Sequence, residues 1–331
     1  MLAVTNLRKY FPVEKGFLDK LLTLQKSFVH AVDDITFSMN RGDILGLVGE
    51  SGSGKSTTGR LCLKLIEPTS GKIVFDGVDL AGLGGEELRR FRRNMQLIFQ
   101  DPTASLCPRI KVGDAIKHAL SFQGIGAPSE QTERTRAILE RVGLKPWSNF
   151  YDRFPHQLSG GQRQRVVIAR ALVLNPKFVV ADEPIAMVDV SVRAQILELM
   201  LELKKEFDLT YLFITHDLAM ANYMCHSIAI MYLGKIVETG PKEKVFGSPL
   251  HPYTLALLSS IPVPDPKVKL ERAIPKGEIP SAINPPKGCR FHPRCPYAQS
   301  VCSEREPQLK EIRPISRLRA SFLEASGLSP T

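Results

Sequence analysis

Eight residues constrain this chain more than any others: Gly49-Glu50-Ser51-Gly52-Ser53-Gly54-Lys55-Ser56. They follow an apolar run, Ile44–Val48, and precede a segment, Ser56–Ile66, whose residues suit a helix. Glycines at this density let the backbone turn tightly, so that several N–H groups converge on one point. A helix starting at that point adds the positive end of its dipole, which makes an anion site. The spacing G-x-x-x-x-G-K-S between strand and helix is that of a phosphate-binding loop, in which Lys55 reaches the β- and γ-phosphates and the Ser56 hydroxyl ligates Mg²⁺. The expected cradle is Gly49, Glu50, Ser51, Gly52, Ser53, Gly54, Lys55, Ser56 and Thr57.

The same alternation of strand and helix runs on to about residue 245. Apolar runs at Ile44–Val48, Met95–Phe99, Phe178–Ala181, Tyr211–Thr215 and Ile228–Tyr232 read as buried strands. Between them lie helical patterns such as Val192–Phe207, where Ile196, Leu199, Met200 and Leu203 fall on one face. Short continuous apolar strands alternating with helices predict an α/β fold with a mainly parallel sheet. Strands before Ile44 and around Gly71–Asp76 are expected to add an antiparallel edge. Val112–Phe122, Ser129–Val142 and Gly160–Leu174 look helical with no strand between them, which predicts a helical subdomain inserted over about 112–174. From Gly247 onward proline becomes frequent, so residues 247–331 are read as an irregular extension of a main domain, 1–246, with a helix near His251–Ile261. A length of 331 residues suits a main body plus an appendage.

A second chemical element follows the strand Phe178–Ala181. Acids at a strand's C-terminal end, here Asp182-Glu183, point into the crevice where open α/β sheets bind ligands. Asp182 is expected to hold Mg²⁺ through its water shell, and Glu183 to orient or deprotonate the attacking water. The net charge of +10 suits a polyanionic partner without choosing one. No apolar run approaches the ~20 residues needed to cross a bilayer, and the N-terminus lacks the pattern of a secretory signal. The basic run Arg89-Arg90 and Arg92-Arg93 has only Phe91 interleaved, which reads as a solvated helix face and not as a nucleic-acid surface.

Leu158-Ser159-Gly160-Gly161-Gln162, standing before Asp182-Glu183, resembles the signature sequence of ATP-binding-cassette (ABC) ATPases. Ser159 and two glycines at a helix start make another anion site on their own account. The resemblance implies an ABC-type nucleotide-binding domain that hydrolyses ATP with Mg²⁺. It also implies a dimer, in which Ser159, Gly160, Gly161 and Gln162 of one subunit close over the nucleotide held by the other. Other residues match the family by position. Phe11 resembles the aromatic that stacks on adenine, with Tyr10 the rival choice; Gln100 resembles the glutamine that touches Mg²⁺ and links the site to membrane subunits. Asp189 occupies the place of the aspartate that communicates across the dimer, and His216 that of the switch histidine at the γ-phosphate. With Glu183 and Lys55, His216 completes the implied catalytic set. The family usually has Thr-Ser-Ala-Leu before that aspartate, whereas this chain has Ile185-Ala186-Met187-Val188 and so loses two hydroxyls.

His251-Pro252-Tyr253-Thr254, and the long segment between Phe11 and Val29, resemble the dipeptide and oligopeptide importer branch. The resemblance implies a second ATP-binding subunit, identical or paralogous, two transmembrane permease subunits and an extracytoplasmic solute-binding protein. The place implied is the cytoplasmic face of the cell membrane; no nucleic acid is expected. Related members of the branch serve nickel or oligosaccharides, and a soluble ABC ATPase acting on nucleic acid or ribosomes is the reading from another class. Six cysteines do not make a disulfide framework in a chain this long. Cys289, Cys295 and Cys302 nevertheless cluster, and in this family such a cluster holds iron–sulfur with a fourth cysteine further on. Here Ser321 stands where that cysteine is expected.

Overall fold

The computed structural model describes residues 1–13, 27–260, 277–313 and 316–318. Its strands are β1 (Leu2–Pro12), β2 (Phe28–Met39), β3 (Ile44–Val48), β4 (Ser70–Phe75), β5 (Val78–Asp79) and β6 (Met95–Ile98). They continue as β7 (Phe178–Asp182), β8 (Thr210–Thr215), β9 (Ser227–Tyr232), β10 (Lys235–Pro241), β11 (Lys310–Arg313) and β12 (Ser316–Leu318). The chain divides into two units. The first is built from Met1–Ser38, Leu45–Val78 and the chain from Thr215 onward; the second from Met39–Ile44 and Asp79–Ile214.

In the first unit, β1 lies antiparallel to β4, with Leu2 opposite Phe75 and Val4 opposite Ile73, in a sheet ordered β2-β1-β4-β5. Leu2, Val4 and Leu7 are buried between exposed neighbours, so β1 has one apolar and one wet face. These strands form a sheet of their own, where the sequence had suggested an edge of the parallel sheet. The second sheet of this unit pairs β3 with β9 in parallel, Leu45 opposite Ser227 and Val48 opposite Ile230. Every residue of β3 is buried, which explains its continuous apolar run. β10 adds antiparallel to β9, and the C-terminal strands β12 and β11 extend the sheet beyond β10.

In the second unit β6, β7 and β8 run parallel, Met95 opposite Phe178 and Phe178 opposite Thr210. The helix Val190–Phe207 buries Ile196, Leu199, Met200 and Leu203, the face read from the sequence. Helices stand at Val112–Phe122, Pro128–Arg141 and Gly160–Leu172. Val112, Ile116 and Leu120 of the first recur at the helical period and are all buried. Arg89 and Arg90 pair with Glu86 on the outside of the short helix Gly85–Phe91, which is a solvated face.

The C-terminal region is less irregular than its prolines suggest. His251 caps the helix Pro252–Ser259 by accepting the Tyr253 N–H on its Nδ1 at 3.1 Å, and Pro252 takes the first-turn position where no N–H is needed. The carboxylate of buried Glu238, on β10, accepts from the N–H groups of Leu250 and His251 and from the Thr254 hydroxyl. His251 is buried against Phe291, their ring centroids 5.6 Å apart. Burial pushes the His251 pKa from 6.5 down to about 3. The unfolded chain therefore binds a proton below about pH 6.5 that the folded chain refuses, and stability is lost as pH falls from there towards 3. A His251→Asn variant keeps a capping acceptor without the titration. Its denaturation free energy, measured between about pH 7 and 5, is expected to fall less steeply than wild type, by up to ~1.4 kcal/mol per pH unit. Parallel slopes in the two proteins would refute the assignment.

Candidate nucleotide site

In the first unit the strand β3 runs directly into the glycine-rich loop, and the helix Lys55–Cys62 leaves it. Gly52 and Gly54 adopt φ of +77° and +105°, a region that residues with a Cβ rarely enter. Gly54 also has no room for one, since a Cβ there would lie 2.1 Å from the Ala31 carbonyl oxygen. At Gly49 it would lie 2.1 Å from that of Met231. The helix start carries no side-chain cap, which leaves its positive end to the loop. Lys55 is only 5% exposed, and its ammonium donates to the carbonyls of Gly49 at 2.8 Å and Glu50 at 2.9 Å and to Ser53 Oγ at 3.4 Å. Ser53 is buried, Ser56 and Thr57 are half-buried, and Ser51 is exposed.

Phe11 is 37% exposed, with the Lys9 ammonium 4.9 Å from its ring centroid. Tyr10 is committed elsewhere. Its hydroxyl donates to Asp33 Oδ1 at 2.6 Å, its ring lies 4.3 Å from that of His30, and burial together with the Asp33 bond pushes its pKa up to about 12. Of the two rival aromatics, Phe11 is the one with a face to offer. His216 follows β8 and is exposed; Asp217 after it caps the helix Leu218–Met224 by accepting from Ala219 and Met220.

The second unit brings Gln100, Asp182 and Glu183 to the ends of neighbouring strands β6 and β7. Asp182 is buried. Glu183 takes a φ of +44°, uncommon for a residue with a side chain, and its N–H donates to the Ile214 carbonyl at 2.9 Å. Gln100 Nε2 donates to Glu183 Oε2 at 2.9 Å. Ser159 caps the helix Gly160–Leu172, its Oγ accepting from the Gln162 N–H at 3.2 Å while Gln162 Oε1 accepts from the Ser159 N–H at 3.0 Å. A Cβ on Gly161 would lie 2.7 Å from Val192 Cγ1, and one on Gly160 would lie 3.6 Å from the Met187 carbonyl. The signature turn therefore sits against the segment containing Asp189, which is exposed at the start of the helix Val190–Phe207. In that segment Ile185 and Val188 are buried and Met187 is exposed, so the unusual Ile185 fills core where a hydroxyl would have needed a partner.

Among the described residues no group of three or more His, Cys, Asp or Glu is arranged to hold a metal ion. Burial pushes the Cys289 thiol up to about 11 and raises that of Cys295. Cys302 is buried and its Sγ accepts the Gln299 N–H at 3.5 Å. The iron–sulfur expectation for Cys289, Cys295 and Cys302 is therefore not supported; Ser321 lies outside the described residues.

Sequence reasoning missed three residues at the loop. The Glu50 N–H donates to the Tyr253 hydroxyl at 2.9 Å, and Arg294 Nη1 donates to Glu50 Oε2 at 3.0 Å. The Thr58 hydroxyl donates to the Gly54 carbonyl at 3.0 Å, tying the helix to the loop. A signal existed for the second contact: an acid placed in an anion cradle calls for a cation beside it, and Arg294 supplies it.

Known proteins resemble this chain along most of its length. The family model described as ABC transporter matches residues 32–186, and that described as Oligopeptide/dipeptide transporter, C-terminal region, matches residues 237–302. A Brucella ovis protein named as a peptide import ATP-binding protein is 49% identical over 314 residues, 95% of each chain. The oligopeptide transport ATP-binding protein AppF of Bacillus subtilis is 47% identical over 317 residues, 95% of this chain and 94% of its own. Among solved structures, an ATP-binding cassette in a dimeric post-hydrolysis state with ADP and Pi overlays with a TM-score of 0.63 at 28% identity, covering 73% of this chain and 99% of that one. The chain belongs to the ABC-transporter ATPases, with the C-terminal region of the oligopeptide and dipeptide branch.

Gly52 and Gly54 separate two effects at the loop. Gly52 has a positive φ with open space around it, so Gly52→Ala is expected to cost ~1 kcal/mol of stability. Gly54→Ala adds collision with the Ala31 backbone and is expected to cost at least ~2 kcal/mol more, with loss of nucleotide binding. Thermal unfolding and ATP titration of both variants check the order; equal losses would show that the close approach to Ala31 is not a constraint.

Proposed function

We propose that this chain is the ATP-hydrolysing subunit of a peptide importer, with residues 1–246 forming the ATPase domain and 247–331 its branch-specific extension. The hydrogen bond from Gln100 to Glu183 carries the reading, because it unites a polar side chain and a carboxylate at adjacent strand ends, where a nucleophilic water would be held. Gly49 through Thr57 bind the phosphates, Lys55 neutralises them, and Phe11 stacks on the base. The hydroxyl of Ser56, the amide oxygen of Gln100 and the Asp182 carboxylate are hard oxygen donors, a set that fits Mg²⁺. When bound, Mg²⁺ supplies charge that offsets the negative oxygens of the transferring phosphoryl group. Glu183 orients the water and takes its proton, and His216 senses the γ-phosphate.

Ser159, Gly160, Gly161 and Gln162 act in trans, on nucleotide held by a second ATP-binding subunit, with Asp189 beside them at the same interface. Closure and reopening of that pair work two permease subunits to which an extracytoplasmic protein delivers solute. No helix of the described residues is long and apolar enough to cross a membrane, which suits a peripheral subunit on the cytoplasmic face. The C-terminal region and the peptide-import names of the relatives support peptides as solute.

Two sets of variants test the roles. Glu183→Gln is expected to lower ATP hydrolysis at least ~10²-fold, as for loss of a positioned base, while ATP affinity stays within a few-fold. Lys55→Ala is expected to weaken binding itself. Near-normal turnover of Glu183→Gln at saturating ATP would sink the catalytic assignment. In the Glu183→Gln background ATP is expected to dimerise the chain, and adding Ser159→Arg to abolish the dimer without abolishing ATP binding. Light scattering that finds equal dimerisation of the two proteins would place the signature turn away from the interface.

A further inference from the structure

The C-terminal region does more than extend a sheet: it grips the phosphate loop. Glu50, the second residue of that loop, is held through three of its groups. Its carboxylate accepts from Arg294 Nη1 at 3.0 Å and Nη2 at 3.4 Å. Its N–H donates to the Tyr253 hydroxyl at 2.9 Å, and its carbonyl accepts from the Lys55 ammonium at 2.9 Å. Two of these partners come from the chain beyond residue 250; the third is the cation that must meet phosphate.

The grip is built on rigid supports. Tyr253 is fully buried, 4.7 Å from the Tyr232 ring and 5.4 Å from that of Phe291. The Arg294 guanidinium lies 5.8 Å from the Tyr232 ring centroid and its side chain is 9% exposed. Arg294 ends the short turn His292–Arg294, and Arg290, just before that turn, is pinned to the Asp33 carboxylate and to the Leu233 carbonyl. Burial alone would push Asp33 up, but Tyr10, Lys235 and Arg290 outweigh it and hold its pKa below the ordinary value. Next to Leu233, the Gly234 N–H donates to the Ser53 carbonyl at 2.8 Å, so the loop is backed near both ends.

We propose that Tyr253 and Arg294 are positioning residues of the phosphate loop, which fix Glu50 and through it the loop geometry that receives the nucleotide. A loop already held in its binding shape loses less conformational entropy when ligand arrives. In the pair Arg294–Glu50 the arginine side chain is buried and the glutamate half-buried, so its attraction is screened less than that of a fully exposed ion pair. The proposal rests on the loop being a nucleotide site, as in the functional reading above.

The test uses the full-length chain and the non-hydrolysable ATP analogue AMP-PNP with Mg²⁺, titrated calorimetrically. Arg294→Gln is expected to raise the Kd about 5-fold, equivalent to ~1 kcal/mol, and Arg294→Lys by less, because it keeps the charge. Glu50→Gln should weaken binding similarly, and the double variant no further, because Arg294 acts through Glu50. Tyr253→Phe, which removes only the acceptor oxygen, should also raise the Kd; it decides the matter if Arg294→Gln does not fold. In hydrolysis assays of Arg294→Gln, KM for ATP should rise with kcat changed less than about two-fold, the pattern of lost ground-state binding. An unchanged Kd in folded Arg294→Gln and Tyr253→Phe, or fully additive losses in the double variant, would overturn the proposal. Because AMP-PNP affinity is read apart from turnover, a wild type that binds but does not hydrolyse would sink the functional reading and leave these ratios to judge the positioning role.

Discussion

A buried ammonium must be given acceptors, and the first unit is organised around providing them. Lys55 is nearly withdrawn from water, where an uncompensated charge costs several kcal/mol. The loop answers by turning the carbonyls of Gly49 and Glu50 and the Ser53 hydroxyl onto it. That inward turn is what demands left-handed backbone at Gly52 and Gly54 and close approach to the neighbouring strands at Gly49 and Gly54. The same convergence leaves the start of the helix Lys55–Cys62 without a side-chain cap, so its dipole serves the anion site. Glycine content, lysine burial and ligand chemistry are therefore one constraint seen from three sides.

The chain beyond residue 250 is stabilised by a comparable logic. Glu238 is a buried carboxylate, and it tolerates burial because two backbone N–H groups and the Thr254 hydroxyl all point at it. The His-Pro-Tyr-Thr run reads as four separate tasks: His251 caps, Pro252 starts the helix, Tyr253 reaches the phosphate loop and Thr254 satisfies Glu238. Each residue type follows from the group it has to meet. The cysteines nearby have no such convergence on a metal among the described residues.

In the second unit the chemistry is concentrated at strand ends. Glu183 is held at an unfavourable φ by an N–H bond to Ile214 while Gln100 fixes its carboxylate. A residue kept in a sparsely populated conformation needs surroundings that over-determine it, and the fully buried strands β7 and β8 provide them.

Much of this was legible in one dimension. Continuous apolar runs marked β3, β7, β8 and β9 because a strand buried on both faces has no polar alternation to hide it. The phosphate loop, the signature turn and Asp182-Glu183 were legible because each needs its residues adjacent in the chain. Ser159 and Gln162, three apart, satisfy each other within a single helical turn. What local pattern could not decide was anything set by distant pairing. The antiparallel strands form a separate sheet because β1 pairs with β4 some seventy residues on, and the C-terminal strands join β10 across a proline-rich stretch. The choice of Phe11 over Tyr10 as the open ring was made by Asp33, and two partners of Glu50, Tyr253 and Arg294, lie more than two hundred residues away. Sequence by itself determined which chemistry the chain carries, since short motifs encode local geometry. Only the tertiary structure decided which remote side chains brace that chemistry, because a hydrogen bond or ion pair depends on separation in space and not along the chain.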